Sequence, residues 1–193
     1  MRLRLATGNA GKVRELRALL EPRGFTLEPA PAGFAVDEDG DTFEANAIKK
    51  AQALVTADAN ALADDSGLVV DALGGAPGVH SARYAGVSGP GQDAANRRKL
   101  LEALAAVPAA SRTARFVCVI AYCAAGQAPR LFRGEVEGHI SLAEAGAHGF
   151  GYDPLFIPAG ESRTFAELPA EVKHRLSHRG RAVRAFADAL PCR

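Results

Sequence analysis

ALADDSGLVVDALGGAPGVHSARYAG, residues 61–86, joins an apolar run to two adjacent carboxylates and then to a glycine-rich loop. The apolar residues before Asp64 and Asp65 predict a strand that ends at these carboxylates. Ser66-Gly67 predict a turn, and residues 68–70, which are apolar and β-branched, predict a second strand segment. Open α/β sheets usually bind their ligands at strand ends. We therefore expect an α/β fold whose chemical centre is the carboxylate pair.

The two carboxylates are expected to have different tasks. Neighbouring residues of a strand point to opposite faces, so one of Asp64 and Asp65 would face the ligand and the other the scaffold. Two close negative charges need a cation or hydrogen-bond donors, and hard oxygen ligands suit Mg²⁺. A turn that carries solvated acids explains the pair equally well. The glycines of residues 74–86 favour a ligand site, because glycine permits close approach of the backbone.

The composition limits the class of protein. With 193 residues the chain can form one domain or two closely packed lobes. Its net charge of +1 gives no support to extensive nucleic-acid or membrane binding. No stretch approaches the length of a membrane span, so we expect a cytoplasmic protein. The odd number of cysteines and their spacing favour a reducing compartment over disulfides or a metal site: Cys118, Cys123 and Cys192.

The N-terminal residues predict a strand, a glycine loop and a helix. Residues 2–6 alternate between apolar and basic, and apolar residues recur at helical spacing from 13 to 20. Between them, TGNAGK at 7–12 would offer backbone N–H groups and the Lys12 charge to a phosphate. The spacing is not that of a Walker A loop, and Val13 stands where that loop has Ser or Thr. An ordinary strand-to-helix turn remains the alternative.

An acidic run, residues 37–41, precedes a helix predicted over 43–54. Thr42 or Asp41 would cap this helix. Acids are favourable at a helix N-terminus because of the helix dipole, so the run argues only weakly for a metal ligand. The helix also contains two lysines that we expect to be exposed: Lys49 and Lys50.

The second half of the chain predicts a mixed sheet. A helix is expected over 93–107, with a solvated face formed by Arg97, Arg98 and Lys99. The apolar strand 116–122 is followed by a turn and by an antiparallel return strand over 131–137. Such a hairpin does not fit a purely parallel sheet and would form an extension or a second lobe.

Two further segments have compositions that suit nucleotide binding. GAHGFGYDP, residues 146–154, contains aromatic side chains that either pack in the interior or stack on a planar base. KHRLSHRG, residues 173–180, precedes a last helix, where basic residues oppose the helix dipole unless a phosphate or a base accepts from them. His139 and His148 have no partner spacing and are expected to be ordinary surface or core residues.

Five separated motifs, taken together, resemble the inosine/xanthosine triphosphate pyrophosphatase family over nearly the whole chain. They are TGNAGK at 7–12, FEANAIKKA at 43–51, ADDSGLVVDALGGAPGVHSARYAG at 63–86, GFGYDP at 149–154 and SHRG at 177–180. The resemblance implies a single domain over residues 1–193, with a mixed curved β-sheet flanked by helices and two lobes with a cleft between them. It also implies a homodimer and Mg²⁺-dependent hydrolysis of ITP, dITP and XTP to the monophosphate and pyrophosphate, which removes them from the nucleotide pool.

The resemblance also implies roles for individual residues. Asp65 would accept a proton and, with Glu38, form the metal site, while Ser66 would contact the substrate. The other substrate-binding residues would hold the triphosphate (Thr7, Gly8, Asn9, Ala10, Gly11, Lys12 and Lys173) or the base (Phe150, Gly151, Tyr152, Asp153, His178 and Arg179). The chain departs from the family pattern in two places, Ala45, where Glu is common, and His80, where Tyr is frequent, so no role is assigned to either.

Base choice follows from hydrogen bonding. Hypoxanthine and xanthine carry an oxygen where adenine carries an amino group, so a donor such as Arg179 would favour the oxo-purines. Two other functions use similar residues. A non-catalytic nucleotide-binding module would bind without turnover, and a phosphatase would release orthophosphate.

Overall fold

The protein, in a computed structural model that describes residues 1–190, is an α/β protein with one six-stranded sheet. The strands are β1 (Arg2–Leu5), β2 (Thr26–Pro29), β3 (Asn60–Val70), β4 (Thr113–Cys123), β5 (Arg130–Ile140) and β6 (Phe156–Pro158). The helices that flank the sheet are α1 (Ala10–Leu20), α2 (Phe43–Gln52), α3 (Gln92–Ala103), α4 (Ala170–Leu176) and α5 (His178–Ala189). Cys192 lies outside the described residues.

The sheet is mixed, as predicted. Its strand order is β2-β1-β3-β4-β5-β6. β1 pairs in parallel with β2 and β3, whereas β5 and β6 are antiparallel. The neighbouring strands β4 and β5 are joined by the short loop 124–129, which is too short for a parallel crossover, so they form the predicted hairpin. Among residues 1–190, no helix combines the length and the apolar composition that crossing a bilayer requires.

The chain forms two compact units. Of the described residues, unit 1 contains 1–65, 118–134 and 178–190, and unit 2 contains 66–117 and 135–177. Each unit has its own apolar core. The core of unit 1 includes Leu3, Leu5, Leu16, Leu20, Leu62 and Phe186. The core of unit 2 includes Leu68, Leu100, Leu104, Phe116, Phe156 and Phe165. The cleft implied by the resemblance stays a prediction.

β3 differs from the sequence prediction. The strand runs without interruption through Ser66-Gly67, where a turn was expected. Asp64 and Asp65 therefore lie within the strand and not at its end. Serine and glycine have low intrinsic strand preference, but β3 lies between β1 and β4 in the sheet. β1 pairs with Asn60–Leu62, so at Ser66-Gly67 pairing with the neighbouring β4 outweighs the local preference.

α2 begins where the sequence predicts, whereas α1 begins at Ala10, within the predicted loop 7–12. The Asn9 side chain caps α1 by accepting a hydrogen bond from the Lys12 backbone N–H at 3.0 Å. Thr42 caps α2 by accepting from the Ala45 N–H at 3.1 Å. These short polar side chains satisfy N–H groups that have no partner within the helix.

The last helix begins earlier than predicted. α5 starts at His178, so the end of the basic segment 173–180 forms its first turn, and the start of that segment lies in α4. Ser177 separates the two helices. The buried face of α5 formed by Val183, Phe186 and Ala187 continues toward the N-terminus through Ala182 and Arg179. Because Arg179 is charged, the apolar pattern alone did not indicate that the helix includes it.

Candidate active site

A buried ionic cluster in unit 1 surrounds Asp64. This carboxylate is fully buried, and its Oδ2 lies 3.3 Å from Lys12 Nζ and 2.9 Å from Arg179 Nη2. The Arg179 guanidinium also pairs with Glu15 through Nη1. Burial alone would raise the pKa of Asp64, but Lys12, Arg179 and Lys50 together hold that pKa well below its ordinary value. Asp64 is thus a permanent negative charge.

Asp65 faces a different set of partners. Its Oδ1 accepts from Lys50 Nζ at 2.9 Å, and its Oδ2 accepts from Asn46 Nδ2 at 3.4 Å. Burial raises the pKa of Asp65, although Lys50 and Lys12 act in the opposite direction. Adjacent aspartates with pKa values shifted in opposite directions are typical of a permanent charge beside a group that exchanges protons. The two carboxylates thus have different surroundings, and the assignment of one to the ligand and the other to the scaffold stays a prediction.

Lys50 connects Asp65 to the acidic run before α2. Its Nζ lies 2.9 Å from Asp65 Oδ1 and 3.0 Å from Glu38 Oε1, and the residue is only 6 % exposed. Burial alone would lower the pKa of Lys50, but Asp65, Asp64 and Glu38 raise it, so the ammonium stays charged. Lys50 therefore holds two carboxylates that would otherwise repel each other.

The expectation that Lys50 is exposed was wrong. One face of α2 is buried, and it consists of Phe43, Asn46, Ala47, Lys50 and Ala51. These positions follow the i, i+3, i+4, i+7 pattern of an amphipathic helix. The position of Lys50 on the apolar face was therefore a signal in the sequence. Lys49 lies off that face and pairs with the exposed Asp39 at 2.6 Å.

The donor set around Lys50 has the chemistry of a magnesium site that a substrate completes. Within residues 1–190, no three His, Cys, Asp or Glu side chains converge as a complete metal cage. Mg²⁺ is commonly bound by one or two carboxylates together with substrate phosphates, and not by protein groups alone. Glu38 and Asp65, both bonded to the Lys50 ammonium, fit that pattern.

The N-terminus of α1 provides an anion-binding environment next to Asp64. The turn before the helix is closed by Asn9, whose backbone N–H donates to Thr7 Oγ1 at 3.2 Å. Lys12 lies in the first helical turn, where a cation is unfavourable to the helix dipole, and its side chain is directed to Asp64. A helix N-terminus with a neighbouring lysine suits a phosphate.

In unit 2, the residues Gly149–Asp153, which we call the aromatic loop, form a closed turn. Asp153 Oδ2 accepts from the Phe150 backbone N–H at 2.8 Å and from Lys173 Nζ at 2.5 Å. The Lys173 ammonium also lies over the Phe150 ring, 5.1 Å from its centroid. A Cβ atom on Gly149 would come within 2.1 Å of Asp153 Oδ2, so this turn requires glycine. The half-buried ring of Phe150 is therefore carried by a loop whose backbone is held in place.

Tyr152 belongs to the interior of unit 2. It is buried in the apolar core, and its hydroxyl donates to the Ser81 carbonyl at 2.8 Å. Burial raises the pKa of this phenol. Of the two aromatic residues in the loop, Phe150 is thus the one whose ring is half-buried.

The structure places the predicted site residues in two sets. Unit 1 brings together Glu38, Lys12, Asp64, Asp65 and Arg179, and His178 is buried next to Arg179 at the start of α5. Unit 2 brings together the aromatic loop and Lys173, and the half-buried Ser66 also belongs to unit 2. Lys173 contacts the aromatic loop, and its contact with a triphosphate stays a prediction. The sequence analysis missed three residues of the unit 1 network: Glu15, Asn46 and Lys50.

Arg179 is more deeply buried than a base-reading residue would suggest. It is 1 % exposed, and the bonds to Asp64 and Glu15 occupy its guanidinium. These contacts assign it a part in the ionic cluster of unit 1. Its role as the donor to a purine oxygen stays a prediction.

Comparison with known proteins identifies the family. The model of the Ham1 family matches residues 3–189. The dITP/XTP pyrophosphatase of Geobacter sulfurreducens is 50 % identical over 98 % of this chain and 96 % of its own length. The Bacillus subtilis dITP/XTP pyrophosphatase is 44 % identical over 96 % of this chain and 95 % of its own. The Staphylococcus aureus Ham1 protein, a solved structure 37 % identical in sequence, superposes with a TM-score of 0.85 over 98 % of both chains. These matches confirm the resemblance drawn from the five motifs, and the chain belongs to the Ham1 family.

Proposed function

We propose that this protein hydrolyses the non-standard purine nucleoside triphosphates ITP, dITP and XTP to the monophosphate and pyrophosphate. The observation that carries the proposal is the Asp64–Asp65 pair, in which one carboxylate is held ionised and its neighbour has a raised pKa. The pair adjoins a helix N-terminus suited to phosphate. Relatives named dITP/XTP pyrophosphatase, 44–50 % identical over nearly the full length, support the substrate class.

The residues of unit 1 would perform the chemical step. Asp65 would accept the proton of the attacking water, and Lys50 and Asn46 would fix the orientation of its carboxylate. Asp64 would keep Lys12 and Arg179 in place. Thr7–Lys12 would bind the β and γ phosphates, where the Lys12 charge stabilises the pyrophosphate as it leaves.

The base would be bound by the aromatic loop, His178 and Arg179, with Ser66 as a further substrate contact. Phe150 would stack on the purine, because offset stacking suits two planar ring systems. Preference for an oxo-purine would come from hydrogen-bond donors of the protein that face position 6 of the base. Hypoxanthine has an acceptor oxygen at that position, whereas adenine has an amino group.

The proposal includes a magnesium ion held by Glu38 and Asp65. When bound, Mg²⁺ would neutralise phosphate charge and make the phosphorus more susceptible to attack. We also propose that the protein is a single-domain, cytoplasmic homodimer that binds neither nucleic acid nor membrane, which agrees with its net charge of +1.

Product analysis tests the bond that breaks. With ITP in ¹⁸O-labelled water, we expect equal amounts of monophosphate and pyrophosphate, with the label in the monophosphate. The reason is that Thr7–Lys12 would bind the two terminal phosphates as one leaving group, so that water attacks the α phosphorus in line. Orthophosphate as a primary product, or label in pyrophosphate, would favour a phosphatase. Binding without turnover would favour a nucleotide-binding module, and ATP serves as the comparison substrate.

Lys12→Met should weaken triphosphate binding much more than nucleoside binding. The lost charge-assisted hydrogen bond is expected to cost about 1.5–3 kcal/mol. Calorimetry with ITP and with inosine measures both affinities. Arg17→Met is the matched control, because it removes the same charge from the exposed side of the same helix. Equal losses for the two ligands would place the phosphate site elsewhere.

A further inference from the structure

α3 hydrogen-bonds to both backbone polar groups of Gly151, in the aromatic loop. Asp93 Oδ2 accepts from the Gly151 backbone N–H at 2.8 Å, and Arg97 Nη1 donates to the Gly151 carbonyl at 2.9 Å. Asp93 and Arg97 are one helical turn apart, so their side chains lie on the same side of α3. The two bonds hold the two successive peptide groups that flank the Gly151 Cα atom.

Arg97 is held in place by a second contact. Its Nε lies 2.9 Å from Glu144 Oε2, and its side chain is only 15 % exposed. The sequence prediction of a solvated face is correct for the neighbouring Arg98, whose side chain is 74 % exposed, and wrong for Arg97. A half-buried, ion-paired guanidinium is a more rigid donor than a solvated one, because less side-chain freedom is lost when it bonds.

Gly151 immediately follows Phe150, whose ring would stack on the purine base. Gly149 and Gly151 both have positive φ angles, 78° and 60°, in a loop whose glycines would otherwise allow many conformations. Asp153, which Lys173 holds, accepts from the N–H of Phe150 itself. The peptide groups before and after the Phe150 Cα atom are therefore both held, the first by Asp153 and the second by Asp93.

We propose that Asp93 and Arg97 are positioning residues that set the conformation of the aromatic loop for the purine base. This inference rests on the proposed function, because it takes the base as the ligand of Phe150. Neither residue would touch the reacting phosphates. Their loss should therefore raise KM for the nucleotide and leave kcat nearly unchanged.

The test compares Arg97→Met with Arg98→Met, which removes the same charge from the solvated side of α3. For Arg97→Met we expect KM for ITP to rise roughly tenfold, the equivalent of one lost charge-assisted hydrogen bond, with kcat changed less than about twofold. Asp93→Ala should act in the same direction, whereas Asp93→Asn keeps an acceptor and should restore most of the affinity. Arg98→Met should behave like the wild type.

Amide exchange of the loop provides a readout that does not depend on activity. Arg97→Met leaves the acceptors of the Phe150 and Gly151 N–H groups intact, so faster exchange at these amides would report a released loop. We expect exchange at these two amides to become about tenfold faster in Arg97→Met, the same factor as the rise in KM. Exchange in Arg98→Met should match that of the wild type. The chain has no tryptophan, so Phe150→Trp supplies a single fluorescent reporter whose anisotropy should fall when Arg97 is replaced.

The outcomes separate the two proposals. Unchanged exchange and anisotropy in Arg97→Met would overturn the positioning role, and so would a released loop with an unchanged KM. A wild-type protein that does not hydrolyse ITP would contradict the proposed function, and loop exchange alone would then decide whether α3 positions the loop. Equal losses in Asp93→Ala and Asp93→Asn would show that the Asp93 charge acts on the helix dipole and not on Gly151.

Discussion

Asp65→Asn should reduce turnover of ITP by about 10²–10⁴-fold, the usual contribution of a general base. Asparagine keeps the shape of the side chain and an oxygen that can accept from Lys50, but it cannot take a proton from water. The fold should persist, because Glu38 still neutralises the Lys50 ammonium. Steady-state kinetics at saturating Mg²⁺, with circular dichroism as the check on folding, measures both effects.

Asp71→Asn is the control for this experiment. Asp71 follows the end of β3, and its half-exposed carboxylate pairs with Arg115 outside the proposed site. The same chemical change there should leave kcat within about twofold, as expected for a surface substitution remote from the chemistry. If Asp65→Asn retained near wild-type turnover, the proton acceptor would have to be another group.

Arg179→Met should lower the free energy of unfolding by about 3–5 kcal/mol, the range observed when one partner of a buried ion pair is removed. The substitution leaves two carboxylates, Asp64 and Glu15, without the guanidinium that neutralises them in the interior. For a chain of this size the loss corresponds to a fall in Tm of roughly 6–20 °C. Urea denaturation and thermal melting are the measurements.

Two further variants make the Arg179 result specific. Arg181→Met removes the same charge from an exposed position of α5, and its effect should stay within about 0.5 kcal/mol. Glu15→Gln combined with Arg179→Met should recover part of the loss, because one of the two buried charges is removed. A loss below about 1 kcal/mol in Arg179→Met would mean that this pair behaves like a surface ion pair.

Local patterns were sufficient to predict much of the fold. Alternation in residues 2–6 and apolar spacing after residue 13 predicted β1 and α1, and Thr42 marked the start of α2. Each of these features is decided by neighbours along the chain. The glycine turn before α1 was predicted for the same reason. Five ordered motifs then sufficed to identify the family.

The parts that could not be predicted depend on contacts between distant residues. Ser66-Gly67 continue a strand because pairing with the neighbouring β4 outweighs their own preference for a turn. Arg179 is separated from Asp64 by 115 positions and from Glu15 by 164, so its ion-pair partners have no local signal. The hydrogen bond from Arg97 to Gly151 joins residues 54 positions apart. The burial of Lys50 could have been recognised from its spacing on the apolar face of α2, and that of Arg179 from its spacing on α5.

The pleat of β3 separates two aspartates that are adjacent in sequence. One residue of translation along a strand moves every side chain to the opposite face. An insertion directly after Leu62 would therefore place Ala63 opposite Lys12 and Arg179, and would place Asp64 opposite Lys50. The ionic cluster would lose its strand carboxylate and keep only Glu15, while the proton-exchanging position would still hold an aspartate. The length of this strand therefore constrains the chemistry as strictly as the identity of either aspartate.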